Sequence, residues 1–254
     1  MKLPRVVAPE TLDGLAEDDP QAMRSRRDLL RVHLAMGTRG IMRRALAGLR
    51  MPSTDAGPLR LLELGAGDGR LMLGVAQALN ALWPRVEITL LDRQELVTPA
   101  TLAAYGRLGW SAAVEVVDVL DWASASSSSA SSTTPDPHAH WDVVVANLFV
   151  HHFEGIQLAN LLAAIETRTD CFFACEPRRA RLALAGSHLI GAIGANAVTR
   201  EDAVLSVHAG FQGQEISALW PGQSGRWNLK EYSAGLFSHC FSAERNLPGA
   251  AVAS

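Results

Sequence analysis

The sequence predicts an α/β protein built on a doubly wound, mostly parallel sheet of seven strands, with a helical extension ahead of it. Three observations carry that reading. From residue 59 onward, short apolar runs alternate with stretches of helical periodicity, the pattern of β-α units around a parallel sheet. The first run, residues 59–64, passes straight into Gly65-Ala66-Gly67-Asp68-Gly69 and then into Leu71, Met72, Val75, Ala76 and Leu79 at helical spacing. Strand, glycine turn and helix in that order expose backbone N–H groups at a helix N-terminus and let a ligand come close. Two late runs, 214–220 and 232–241, are placed to form a hairpin that completes the sheet.

The elements follow in order. Residues 1–20 are rich in proline and acids and read as extended, with one helical turn near 10–15. Asp19-Pro20 is a helix start, a capping side chain followed by proline at the first helical position. The helix over 21–36 ends at Gly37. A second helix covers 41–49 and a linker covers 52–58. Strands are predicted at 59–64, 86–92, 113–118, 141–147 and 170–176, with helices running to about residue 83, over 99–108 and over 155–167. Helices 178–193 and 200–209 precede the late pair of strands. Residues 123–132 are a serine-alanine run that cannot bury a face, so 123–140 is read as a low-complexity surface loop in place of a crossover helix. The chain thus divides into an N-terminal helical extension, 1–58, and one α/β domain, 59–254.

At 254 residues with a net charge of −3, the chain can bury a full core and offers no bulk basic surface to nucleic acid. Eight arginines from Arg24 to Arg50 face one acid, Asp28. A solvated amphipathic face is the simpler reading of them, and an anion contact the other. Cys171, Cys175 and Cys240 are odd in number and sit in apolar stretches, as small core residues of a cytoplasmic protein do. No stretch of about 20 apolar residues exists for a membrane span. No Cys/His cluster has zinc spacing and no carboxylate triad has oxygen-ligand spacing, so no metal is expected.

The glycine spacing separates ligands. A dinucleotide fingerprint needs Gly-x-Gly-x-x-Gly, and counting from Gly65 the third glycine would be Arg70. A phosphate-cradling loop needs Gly-Lys-Ser/Thr, which is missing. The pattern is instead Glu63-x-Gly65-x-Gly67-x-Gly69. These residues resemble motif I of the class I S-adenosylmethionine-dependent methyltransferases. The resemblance implies a Rossmann-like fold, S-adenosylmethionine (SAM) as cofactor, and N-terminal helices that form a lid over an acceptor pocket. The acid suits that cofactor, which has no pyrophosphate but carries an α-ammonium group and a sulfonium.

Ligands of doubly wound sheets sit at the carboxyl ends of the strands, and the resemblance assigns residues there. Glu63, Gly65, Ala66, Gly67 and Gly69 form the first turn. Asp92, 23 residues after Gly69, is placed to accept from both ribose hydroxyls, with Arg93 beside the adenosine pocket. Asp118 stands where the family's adenine-binding acid does, and Val119 where the next residue packs on the ring; Asp121 competes with Asp118. Strand four ends at Asn147, counted with the cofactor site, and continues through Phe149 to His151, His152 and Phe153. This stretch lacks the Asn/Asp-Pro-Pro-aromatic sequence of methyltransferases acting on nucleobase or amide nitrogens. It resembles the Asn-x-x-x-His-His of small-molecule methyltransferases. A histidine with a pKa of about 6.5 can take the proton of a phenolic acceptor; His151, nearer the strand end, is the first candidate and His152 the second. After strand five, Glu176 and Arg178 are read as a pair. Glu17-Asp18-Asp19-Pro20 and Gly235-Leu236-Phe237-Ser238-His239 resemble bacterial methyltransferases linked to type III polyketide synthase pathways. That implies a small phenolic or polyketide-derived acceptor and O- or C-methylation. Two other readings stay open: a methyltransferase acting on protein or RNA, and a catalytically inactive SAM-binding protein of the same fold.

Overall fold

The strands β1 (Leu59–Leu64), β2 (Val86–Asp92), β3 (Trp110–Val116), β4 (Trp141–Asn147), β5 (Thr169–Pro177), β6 (Trp227–Ala234) and β7 (Ser238–Arg245) form one seven-stranded sheet. Its order is β3-β2-β1-β4-β5-β7-β6. The first five strands run parallel and β7 enters antiparallel between β5 and β6. The computed structural model describes residues 3–49, 57–83, 85–128, 140–222 and 225–246. Most of the predicted linker 52–58 lies outside the described residues.

The apolar runs are continuous because both faces of the sheet are covered. Successive side chains point to opposite faces, so Leu61, Val143, Val145 and Phe173 pack with Met42, Leu46, Met72 and Val75 on one side. Leu62, Val144, Phe172 and Phe241 pack with Leu161, Ile165, Trp220 and Trp227 on the other. The helices between strands are α4 (Arg70–Leu79), α5 (Pro99–Arg107), α6 (Val119–Ser128), α7 (Gly155–Arg168), α8 (Arg181–Leu189), α9 (Ala197–Ala209) and the short α10 (Glu215–Leu219). Ahead of them lie one turn, α1 (Thr11–Gly14), and the helices α2 (Pro20–Met36) and α3 (Thr38–Ala47). The α2 start is as predicted: Asp19 accepts from the Gln21 and Ala22 N–H groups, and Gly37 closes the helix at φ +68°.

Three expectations are corrected. The predicted strand 214–220 is instead the helix α10, with Gln214 and Trp220 as its flanking residues. Ile216 and Trp220, four apart, are buried while Leu219 is exposed, which is helical spacing, and the Glu231 carboxylate accepts from the Ile216 and Ser217 N–H groups at the start of that helix. The predicted strand 232–241 instead spans a hairpin, the end of β6 and the start of β7. Finally, 123–128 continues α6; the rest of the predicted loop, apart from His140, lies outside the described residues. The helix starts at Asp118, whose carboxylate accepts from the Leu120 N–H at 2.8 Å. Bounds also shift: α3 begins at Thr38, β3 at Trp110 and α9 at Ala197, and α8 begins at Arg181, after Arg178 pairs with Phe211 in an isolated bridge.

Candidate active site

The carboxyl ends of β1, β2 and β4 open into one cavity of about 960 Å³, at the upper end of the range for sites that enclose small ligands. Gly65, Gly67 and Gly69 all have positive φ, between +56° and +71°, a backbone that glycine adopts without steric cost. At Gly65 a Cβ would come within 2.2 Å of the Phe149 ring, whereas at Gly67 it would meet nothing within 4 Å. The turn is fixed by Asp92, whose carboxylate accepts from the Gly67 N–H at 2.8 Å and the Gln94 N–H at 3.0 Å. Glu63 lies beneath it, 3 % exposed. One carboxylate oxygen of Glu63 and the side-chain oxygen of Asn147 are buried without a hydrogen-bond partner. Burial, with Asp92 and Asp68 nearby, raises the Glu63 pKa well above the usual carboxylate range.

The structure brings Glu63, Gly65, Ala66, Gly67, Asp92, Arg93, Asp118, Val119, Asn147, His151 and His152 to the wall of this one cavity. Gly69 is not on that wall. Its carbonyl accepts from the Tyr105 hydroxyl at 2.9 Å, which ties the start of α4 to α5. Asp118 lies two residues beyond β3, and Arg93 reaches back to the backbone carbonyl and carboxylate of Asp13.

The other end of the cavity is organised by Glu176. Its fully buried carboxylate accepts from the N–H groups of Phe149, Val150 and His151 at 3.0–3.3 Å, and it contacts His151 Nδ1 at 2.8 Å. It makes no pair with Arg178, whose guanidinium goes to the Gly235 carbonyl; the expected Glu176–Arg178 pair is therefore corrected. The turn it holds begins at Leu148, a non-glycine residue at φ +48°, a costly conformation that persists where surroundings impose it. His151 Nε2 lies 3.3 Å from the Glu10 carboxylate. Burial alone lowers the His151 pKa, but hydrogen bonds from Glu10 and Glu176 and their charges outweigh it and bring it up to about 9. With both ring nitrogens facing carboxylates, His151 is not available to take the proton of an acceptor. His152 is more open; its Nδ1 sits 3.3 Å from Asp13, and its ring lies 4.2 Å from that of His151. Burial and the charge on His151 lower its pKa.

Glu10, Asp13 and Asp202 carry no sequence signal for this site. They come together because residues 3–15 form a strap across the ends of β4, β5 and α9. Arg5 donates to the carbonyls of Ala209, His151 and Phe153 at 2.8–3.1 Å. The Asp202 carboxylate accepts from the Thr11 and Leu12 N–H groups at 2.7 and 2.9 Å. Much of the remaining wall is apolar and comes from Leu29, Leu30 and Met36 of α2, Leu189 of α8, Ile190 and Ile193 after it, and Phe237. His33 in that wall is lowered to about 4 by burial, so it adds no charge near neutral pH.

No family model matches the chain, and no curated protein matches it in sequence. Solved structures do match in shape. The plantazolicin methyltransferase BpumL in complex with SAH superposes with a TM-score of 0.59 at 11 % identity, over 91 % of this chain and 92 % of that one. The plantazolicin methyltransferase BamL, in complex with a triazolic desmethylPZN analog and SAH, gives 0.57 at 11 % identity over 93 % and 94 %. An O-methyltransferase family protein from Burkholderia thailandensis gives 0.55 at 14 % identity, over 93 % of this chain and 63 % of that one. The chain has the fold of the class I methyltransferases. Its sheet order, its antiparallel β7 and its glycine turn after β1 all agree with that fold. Among the described residues no helix is long and apolar enough to cross a membrane.

Proposed function

We propose that this protein transfers the methyl group of SAM to a small-molecule acceptor, phenolic or polyketide-derived, by O- or C-methylation. The observation that carries the reading is the pair of partnerless buried oxygens of Glu63 and Asn147 at the ends of adjacent strands. A buried acceptor without a donor costs stability, and a carboxylate with two acidic neighbours calls for a cation. The α-ammonium group of SAM supplies donors and charge for that place. Asp92 keeps acceptor capacity for the ribose hydroxyls beyond its two backbone bonds, and Asp118 and Val119 border the adenine end. Bound SAM supplies a methyl carbon activated by positive sulfur; alignment of the acceptor is then the main task of the protein.

The acceptor occupies the apolar part of the cavity under α2, and His152 is the hydrogen-bond partner for its hydroxyl. Glu176, Glu10 and Arg5 hold the His151–His152 turn in place. The plantazolicin enzymes among the matched structures favour a small molecule over protein or RNA. Incubation with SAM and a panel of phenols and polyketide-like enols, followed by mass spectrometry, tests the reading: it requires a gain of one methyl on at least one acceptor. SAM binding without turnover of any acceptor favours the inactive alternative.

A further inference from the structure

We propose that Glu10, His151 and His152 form a binding site for a first-row divalent metal ion of the zinc type at the acceptor end of the cavity. One potential ligand atom from each lies within 4.8 Å of the others. His151 Nε2 and the Glu10 oxygen are 3.3 Å apart, and two ligand atoms on a tetrahedral ion with bonds of about 2.0–2.2 Å sit about 3.4 Å apart.

The surroundings of the histidines repeat the outer-shell pattern of metal sites, in which the second ring nitrogen of a ligating histidine is held by a carboxylate. His151 Nδ1 is held by Glu176 at 2.8 Å and His152 Nδ1 by Asp13 at 3.3 Å. An ion at this place displaces the proton that His151 Nε2 shares with Glu10 and leaves that nitrogen to ligate. Three carboxylates, Glu10, Asp13 and Glu176, converge on two imidazoles; Asp13 also pairs with Arg93, and a divalent cation offsets the negative charge that remains. Positions are fixed from outside as well. Glu176 is pinned by three backbone N–H groups, Glu10 accepts from the Ser206 hydroxyl, and Arg5 grips the carbonyls of His151 and Phe153. Such pre-ordering is what a metal site needs.

Two histidines and one carboxylate leave coordination positions open. All three residues line the cavity, so those positions are accessible to an acceptor oxygen, whose acidity a bound ion increases. That last role rests on the methyl-transfer reading; the ion site does not. The sequence concealed it because Glu10 and His151 are 141 residues apart.

Chelator-stripped full-length protein is titrated with Co²⁺, followed by its visible ligand-field absorption, and with Zn²⁺ by calorimetry. One equivalent binds with micromolar affinity or better. His152→Ala and Glu10→Gln weaken it more than tenfold, Glu176→Gln weakens it about 10–100-fold, and His188→Ala, outside the cluster, changes nothing. Binding of S-adenosylhomocysteine by each variant shows that the fold is kept. Wild-type affinity no better than about 1 mM, or equal affinity in His152→Ala, overturns the site. Absence of S-adenosylhomocysteine binding in the wild type would instead overturn the proposed function and leave the ion site standing.

Discussion

Replacing Glu63 by glutamine should make the free protein more stable and its cofactor binding worse. Glu63 is buried, one of its oxygens has no partner, and Asp92 and Asp68 add repulsion to the desolvation of its charge. The folded state therefore holds the Glu63 proton to higher pH than the unfolded chain does. Below the unfolded carboxyl pKa of about 4.3 both states are protonated and the residue costs nothing. As pH rises above that value the unfolded chain loses its proton more readily, and wild-type stability falls relative to the variant until the folded carboxyl also ionises. Glutamine keeps the shape and removes the charge. An unsatisfied buried polar group costs about 1–3 kcal/mol, which for a chain of this size is roughly 2–12 °C in melting temperature. Thermal unfolding should show no difference between Glu63→Gln and wild type near pH 4, and the variant melting higher near pH 8. A charge-assisted hydrogen bond to the cofactor ammonium is worth about 1.5–3 kcal/mol, so the same variant should bind S-adenosylhomocysteine about 10–150-fold more weakly. A variant that melts lower at pH 8 and binds as well as wild type would refute the reasoning.

Further outcomes follow from the same geometry. Asp92→Ala frees the Gly67 N–H and removes the ribose acceptor, so calorimetry should show S-adenosylhomocysteine affinity reduced by at least tenfold, about 1.4 kcal/mol. Gly65→Ala forces a side chain at φ +67° against the Phe149 ring and should abolish cofactor binding in the same assay. His152→Ala should fold with a melting point near wild type yet lose about 100-fold in kcat, the scale of a misplaced acceptor. His151→Ala strands the carboxylates of Glu10 and Glu176, and broken buried pairs cost about 3–5 kcal/mol; its defect should be in the melting curve first. Asp202→Ala leaves the Thr11 and Leu12 N–H groups unpaired, and faster amide exchange along residues 5–13 should report the loosened strap.

The sequence carried the fold where chain-local signals suffice. The run 59–64 followed by three glycines, the Asp19-Pro20 cap and the apolar strands 86–92 and 141–147 each announce themselves, because their periodicity and turn chemistry are local. The segment 214–220 did not, since seven residues of mixed character satisfy both periods and only the packing of Ile216 and Trp220 decides between them. The acids expected at the cofactor end were local signals for the same reason: Glu63, Asp92 and Asp118 each lie at a strand end or within two residues of one. The acceptor end was not. His151 and His152 were visible, but their difference depends on Glu10 and Asp13, which arrive from a strap more than a hundred residues away. Glu176, at the end of β5, did draw attention, but as a partner of Arg178; its role lies in three backbone N–H groups that no sequence pattern displays.

The account stands on the cavity at the ends of β1, β2 and β4 being a SAM site. Calorimetric titration of the wild-type protein with S-adenosylhomocysteine tests this most directly. Saturable binding of one molecule per chain, lost in Gly65→Ala, is the predicted result; absence of saturable binding up to about 1 mM would contradict it.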